Sequence, residues 1–424
     1  MKIAVVGLGH IGLPLAVQYA SRGHHVVGCD TARWIVDAIN DGRSPHDDEP
    51  ALLESVPELV RAGNLRATVD DAEGAREADV VVVIVPVVVD EHRDITFGPI
   101  DAATREIARG LRAGTLVVYE TTLPVGTTRH RFGPMLEAGS GLKLEEDLFL
   151  AYSPERVLVG RVLLDLRRYP KVIGGIGPLS TQRAVDFYTA VLDPATELRS
   201  VSNAETAEMT KLAETTYRDV NIALANEYAR YAATRGIDVT EVIEAANSQP
   251  YSHIHAPGVG VGGHCIPVYP HFLFNTEPDL RLPPLARAIN EEMGAWTVAA
   301  LQDRIGPLAG QSVLVLGIAY RADVREDAFS SAFRLRDELQ RAGATVYGHD
   351  PYFSDEHLIR AGFIPFDPAN PVPIAGAIVQ AAHSAYRSFD FGRLPGLKVV
   401  IDGRNALERA VVEAAGVSYL GIGR

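Results

Sequence analysis

Cysteine is nearly absent from this chain: two in 424 residues, Cys29 and Cys265. Two distant thiols cannot build a disulfide framework, and no Cys/His cluster has zinc-site spacing. Long apolar runs are missing as well. The run Val80 to Val89 is far too short to span a bilayer and reads as a buried parallel strand. Positive charge is in deficit, with 40 Lys and Arg against 54 Asp and Glu and a net charge of −14. That balance argues against a general nucleic-acid or anionic-membrane binder, while leaving room for a local basic pocket for phosphates. No internal repeat or low-complexity tract is visible. Met1-Lys2-Ile3-Ala4-Val5-Val6-Gly7 reads as a strand from the outset, without the apolar core and cleavage site of a signal peptide. The expectation is a cytoplasmic protein with no metal and no partner of nucleic acid or membrane.

What is present is an ordinary globular composition, 47% hydrophobic and 22% charged, in a chain long enough for two or three domains. The first two hundred residues alternate short β-branched runs with helical patterns. The strands expected are Ile3–Val6, His25–Cys29, Arg66–Val69, Val80–Val85, Leu116–Tyr119, Leu148–Ala151 and Val172–Ile173. Such alternation predicts an α/β domain, a parallel sheet with helices on both faces. From Asn203 to Arg235 no Pro or Gly interrupts a helical pattern, with Asn203 placed as N-cap and Gly236 as C-terminal stop. A helix of that length measures about 50 Å, more than one domain needs, and offers a face for dimerisation. A second helical pattern covers Leu285 to Arg304. Alternation resumes at Ser312–Leu316, followed by Ala344–Tyr347, Ala377–Val379 and Val399–Ile401. The division is a Rossmann domain over 1–202, a central long-helix segment over 203–305 and a smaller Rossmann-like domain over 306–424.

Gly7-Leu8-Gly9-His10-Ile11-Gly12 follows the first strand directly and opens a helix. Gly7 permits the tight turn, Gly9 lets a pyrophosphate approach the backbone, and Gly12 allows close helix–strand packing. Free N–H groups at the helix start bind phosphate. Asp30 ends the second strand about twenty residues on, as a carboxylate for the adenosine ribose does. It would repel a 2′-phosphate, so NAD is preferred to NADP. A structural glycine turn in some other α/β protein is the plainer reading. Cys29, inside that strand, reads as core.

The other cysteine lies in the densest glycine run, Pro257-Gly258-Val259-Gly260-Val261-Gly262-Gly263-His264-Cys265-Ile266-Pro267. Four glycines in six positions let a ligand press on the main chain and present the thiol without cover. A thiol held this way suggests covalent catalysis at a carbonyl carbon. The plain alternative is a small buried hydrophobe. His253, His255, His264 and His271 stand nearby in sequence, yet their spacing matches no standard metal site. They read as exposed or structural, with His264 placed to lower the thiol pKa.

Together these residues resemble the UDP-glucose/GDP-mannose dehydrogenase superfamily, and Gly-Gly-His-Cys-Ile-Pro looks most like its UDP-N-acetylhexosamine 6-dehydrogenase branch. The likeness spans the chain: Glu49-Pro50, Glu120 to Thr128, Ser153-Pro154-Glu155-Arg156-Val157-Leu158, Glu208 to Glu227, Gly317 to Arg321 and Asp350-Pro351-Tyr352 match its motifs in order. The resemblance implies an N-terminal NAD domain, a central helical segment that forms a homodimer, and a C-terminal domain for the nucleotide of a sugar substrate. It implies oxidation of a sugar C6 alcohol to a carboxylate with two NAD. Cys265 becomes the nucleophile, forming a thiohemiacetal and then a thioester. Lys211 stabilises charge on the C6 oxygen, and Glu155, supported by Thr122, orders or deprotonates water. Gly7, Gly9, His10, Ile11, Gly12, Asp30, Pro86, Thr122 and Arg321 go to the cofactor. Glu155, Arg156, Val157, Lys211, Gly262, Tyr251 and Arg404 go to the substrate. Without the likeness, Lys211 reads as a solvated helix lysine and Glu155 as a loop carboxylate pairing with Arg156.

The chain departs from the family pattern on the substrate side. Tyr269 stands where relatives have Asp, Thr215 where they have Asn, Tyr251 in place of an Arg, Ala328 in place of another Arg, and Arg321 in place of Lys. Because the cofactor motifs are intact, a working enzyme with an altered substrate or altered later steps is expected over a dead one. One version keeps the four-electron oxidation, with Tyr269 and Thr215 inside the catalytic site. Another stops at the aldehyde or passes the thioester to a different acceptor. A non-catalytic binder of NAD or a nucleotide sugar is the reading from another class. A two-electron dehydrogenase of hydroxy acids is a third, which leaves the cysteine loop and the third domain unexplained.

Overall fold

The computed structural model describes residues 1–46, 49–90, 93–157 and 160–424. The chain folds into two compact units, 1–213 with 271–276, and 214–270 with 277–424.

In the first unit, strands β1 (Lys2–Val6), β2 (His25–Cys29), β3 (Leu65–Thr68) and β4 (Val80–Val83) are followed by a short ribbon of β5 (Val88–Val89) and β6 (Ile95–Thr96). Then come β7 (Leu116–Tyr119), β8 (Phe149–Tyr152), β9 (Lys171–Gly175) and β10 (Leu198–Ser200). Eight of them form one sheet in the order β10-β9-β8-β7-β4-β1-β2-β3. β4 is Val80-Val81-Val82-Val83, buried on both faces, as an interior parallel strand must be. Helices Gly12–Ser21, Pro50–Arg61 and Pro178–Val191 lie among the elements packed around the sheet, and Leu13, Leu15, Val17, Phe187 and Tyr188 fill the core against Ile3, Val5, Val82 and Val118.

Two expectations are corrected here. The sheet is not wholly parallel, because β9 runs antiparallel to β8. The run Val80 to Val89 is not one strand either. It stops at Val83, and Val88–Val89 pairs antiparallel with Ile95–Thr96, leaving Val88 exposed. Pro86 interrupts the run and removes a ladder donor there. β10 carried no sequence signal, since Leu198-Arg199-Ser200 is a short, mostly exposed edge.

The helix Ala204–Arg235 is continuous for 32 residues. Asn203 Oδ1 accepts the Thr206 N–H at 2.8 Å, as an N-cap does, and Gly236 takes φ +65°, the left-handed stop. Its later turns, together with the helix Leu282–Ile305, pack in the second unit.

That unit also holds β11 (Ser312–Leu316), β12 (Thr345–His349), β13 (Ile364–Pro365), β14 (Gly376–Val379), β15 (Val399–Asp402) and β16 (Ser418–Gly421), all parallel in the order β13-β12-β11-β14-β15-β16. This is the dinucleotide-fold order 3-2-1-4-5-6. No repeat is visible in the sequence, yet the two sheets share a turn. Gly7 N–H donates to Cys29 O and Gly317 N–H to His349 O, each at 2.8 Å. Leu8 N–H donates to Asp30 and Ile318 N–H to Asp350, again each at 2.8 Å. Main-chain geometry repeats here, with the glycine and the aspartate in common and the residues between them different.

Candidate active site

The carboxyl ends of β1, β2, β4 and β7 deliver the expected cofactor residues other than Arg321 to one edge of the first sheet, where parallel α/β sheets bind ligands. Gly7 has φ +94°, and a Cβ there would press the Ile84 main chain at 3.2 Å. A Cβ on Gly12 would collide with the Gly7 carbonyl. A Cβ on Gly9 would meet no atom within 4 Å, so this glycine faces open space. The Asp30 carboxylate is aimed by the main chain: Oδ2 accepts Leu8 N–H and Oδ1 accepts Ala32 N–H, both at 2.8 Å. Each oxygen keeps a lone pair for a further donor. Asp71 stands behind it, raised to about 6 by burial and by the Asp30 charge. His10 is exposed, its ring centroid 4.5 Å from that of His46, and His46 Nε2 lies 2.8 Å from Leu8 O. Ile11 caps the helix Gly12–Ser21, whose first turn carries no acid to repel phosphate. Pro86 is exposed just beyond β4, and Thr122 is buried just beyond β7. These residues fit NAD: Gly9 would leave room for a pyrophosphate, and Asp30 would accept from a ribose hydroxyl. Cys29 is core, as read, and burial pushes its thiol up.

Beyond β8 the chain presents Glu155, and the plain reading of its partner is corrected. Its carboxylate pairs with Lys171, and Arg156 instead donates to Pro170 O. Lys211 is 8% exposed, so it is no solvated helix lysine. Its Nζ donates to Glu155 O at 2.6 Å. Within the first unit, Lys211 thus lies against the Glu155 main chain, while the Glu155 carboxylate lies on Lys171. Val157 is half-buried, and Leu158 lies outside the described residues. Sequence reasoning missed Lys171 and the buried Glu208. Glu208 lies on the Lys211 helix and accepts N–H bonds from Gly126 and Thr128 at 2.5 and 2.9 Å.

The cysteine loop belongs to the second unit and is tied down along its length. Gly258 N–H donates to Asn226 Oδ1 at 2.9 Å, Val259 N–H to Gly403 O at 3.1 Å, and Gly263 N–H to Ala328 O at 2.9 Å. Gly260 and Gly263 take φ +142° and +94°. A Cβ on Gly262 or Gly263 would press Tyr320 at 2.9 Å, so here the missing Cβ serves packing. Cys265 is only partly buried, unlike a core hydrophobe, and its carbonyl accepts Tyr269 N–H at 2.9 Å. Thr215 is fully buried, Tyr269 half-buried and Tyr251 92% exposed. His264 is exposed and lies 3.5 Å from the Glu326 carboxylate.

Arg404 is tied to this loop: Nη1 donates to Gly260 O at 2.9 Å, Nε to Gln380 O at 2.7 Å and Nη2 to Ser331 Oγ at 3.3 Å. Burial lowers it to about 10. Arg321 lies in the second unit, its Nε on Tyr320 OH at 2.9 Å.

A dinucleotide turn with a carboxylate at the end of β2, in a chain that also presents a cysteine on a glycine loop, has the build of an NAD-dependent oxidoreductase. Comparison with known proteins is specific about which. The NAD binding domain of the UDP-glucose/GDP-mannose dehydrogenase family matches residues 1–192, its central domain 205–292 and its UDP binding domain 314–409. The chain belongs to that family. A UDP-N-acetyl-D-mannosamine dehydrogenase of Pyrococcus horikoshii is 35% identical over 436 residues, covering 100% of this chain and 99% of its own. An NDP-N-acetyl-D-galactosaminuronic acid dehydrogenase of Ralstonia solanacearum is 34% identical over 414 residues, covering 95% of each chain. The solved structure of the Pyrococcus horikoshii UDP-D-ManNAc dehydrogenase superposes with a TM-score of 0.88 at 33% identity, covering 100% of this chain and 99% of that one.

Proposed function

We propose that this chain oxidises the C6 alcohol of a UDP-N-acetylhexosamine, of the N-acetylmannosamine type, to the uronic acid. The observation that carries the reading is the Lys211 ammonium on the Glu155 main-chain carbonyl, which sets the oxyanion stabiliser beside the residue that supplies the base. Bound NAD supplies the hydride acceptor. Cys265 attacks the C6 aldehyde to give a thiohemiacetal, whose oxidation leaves a thioester. Lys211 holds the C6 oxygen while it carries negative charge. Glu155, with Thr122 beside it in role, takes a proton from the water that hydrolyses the thioester. Thr215 and Tyr269 replace the amide and carboxylate of relatives in the same steps, and Arg156, Val157, Gly262 and Tyr251 serve the sugar nucleotide. We assign residues 1–202 to NAD, 203–305 to dimerisation and catalysis and 306–424 to the nucleotide. We assign the working form to a homodimer in the cytoplasm; no helix among the described residues is long and apolar enough to cross a membrane.

The test is a count. Enzyme, NAD and a panel of UDP-sugars should give two NADH per sugar, fastest with UDP-N-acetylmannosamine. Cys265→Ala should form no uronic acid, and carboxylate made by that variant removes the thiol from the mechanism. The replacements at Thr215 and Tyr269 favour one second reading, in which oxidation stops at the aldehyde with one NADH per sugar.

A further inference from the structure

We propose that Lys171 is a positioning residue of the hydrolytic step: its buried ammonium fixes the Glu155 carboxylate in the orientation that receives the proton of the attacking water. The inference rests on Glu155 being the base, as argued above. Lys171 opens β9 and is 6% exposed. Burying an ammonium is costly unless carboxylates compensate it, and two do so here. Lys171 Nζ pairs with Glu155 and stands 3.2 Å from Glu120 Oε2. Glu120, 2% exposed, is held from its other side by the hydroxyls of Tyr188 and Tyr19, the latter at 3.4 Å. The ammonium also lies over the Tyr188 ring, 4.8 Å from its centroid. A fixed anion thus anchors Lys171, and Lys171 anchors Glu155. Lys211 holds the same residue by its carbonyl at 2.6 Å, so Glu155 is gripped at both main chain and side chain by two different lysines.

The groups set against Lys171 are Glu120 beyond β7, Glu155 beyond β8, Tyr188 from helix Pro178–Val191 and Lys211 from the long helix, with Tyr19 from helix Gly12–Ser21 behind Glu120. Burial holds the Lys171 ammonium below the ordinary lysine range; Glu120 opposes that shift and Lys211 adds to it. In the step concerned, water oxygen bonds to the thioester carbon, the C–S bond breaks, Cys265 leaves as thiolate, and the water proton passes to Glu155. Without the Lys171 charge, the Glu155 carboxylate loses both its side-chain partner and the opposite charge that favours its ionised form, so the base is neither held in place nor kept free of a proton.

Lys171→Met should slow steady-state uronic acid formation about tenfold or more at pH 7 and leave the KM for UDP-N-acetylmannosamine within about threefold. The acid limb of its pH–rate profile should rise by about one unit or more. A sugar adduct on Cys265 should accumulate by intact-protein mass spectrometry. Lys171→Arg should restore rate and profile. Should Lys171→Met fail to fold, Lys171→Gln is the variant compared with Lys171→Arg. Glu155→Gln run in parallel separates the two ideas. If it turns over at the wild-type rate, the assignment of Glu155 fails. If it traps the adduct while Lys171→Met or Lys171→Gln keeps the wild-type rate and acid limb, the assignment of Lys171 is overturned.

Discussion

Glu208 sits one helical turn before Lys211, on the same face, and its carboxylate is fully buried. Burial raises it to about 7, although the Thr128 hydroxyl and the Thr128 and Gly126 N–H groups pull the other way. The unfolded chain titrates near 4.5, so the folded state favours the protonated form. The stability this group contributes is therefore complete below pH 4.5 and is lost as pH rises through about 7. At about 1.4 kcal/mol per unit, the swing is on the order of 3 kcal/mol. Comparing Tm of wild type and Glu208→Gln at pH 5 and pH 8 checks this. The variant should gain on the wild type as pH rises, and a constant difference would contradict the assignment. Such a residue was illegible beforehand, because a glutamate on a helix carries no mark of whether it meets solvent or a turn eighty residues upstream. Asp30 was legible, because its spacing from Gly7 is set by a fixed unit of strand, turn and helix.

At the level of elements, the cysteine loop is held from below by a buried polar chain. Arg287 Nε donates to Asp219 at 2.8 Å, Asn290 Nδ2 donates to Asp219 Oδ1 at 2.8 Å, and Asn226 Nδ2 donates to Asn290 Oδ1 at 2.8 Å. Asn226 Oδ1 then accepts the Gly258 N–H. Two helices, Ala204–Arg235 and Leu282–Ile305, carry this relay, and all four side chains are at most 4% exposed. Asn226→Ala leaves a buried amide hydrogen and a buried amide oxygen unpaired, which should cost about 2–4 kcal/mol in denaturant unfolding. It should also speed alkylation of Cys265 severalfold, while Arg199→Ala, at a surface pair with Glu197, should change neither. The helices and most strands were readable because period and punctuation are local. Strand direction at β9 was not, since nothing local in Lys171–Gly175 distinguishes parallel from antiparallel pairing. The split of the valine run was readable in principle from Pro86.

For the whole molecule, the long helix leaves an apolar stripe uncovered. Tyr217, Leu224, Tyr228 and Tyr231 are 40–61% exposed and fall within about 60° of one another at 100° per residue. Burying each on a second copy contributes about 1.5–3 kcal/mol. Leu224→Glu with Tyr228→Glu should shift the proposed dimer to monomer in light scattering, with Tm lowered only by the loss of association. The second sheet raises a separate matter. Its copy of the glycine turn ends in Asp350, whose Oδ2 already accepts Ile318 and Ala319 N–H at 2.8 and 3.0 Å and the His383 imidazole at 3.0 Å. Oδ1 accepts Tyr352 N–H at 2.9 Å, and the carboxylate is shut away from solvent. Oδ1 keeps a lone pair, as each Asp30 oxygen does, but with Oδ2 carrying three donors and the carboxylate out of reach of solvent, an adenosine hydroxyl has no access to it. Calorimetric titration with NAD alone should therefore reach a stoichiometry of one per polypeptide, despite two turns of the same build.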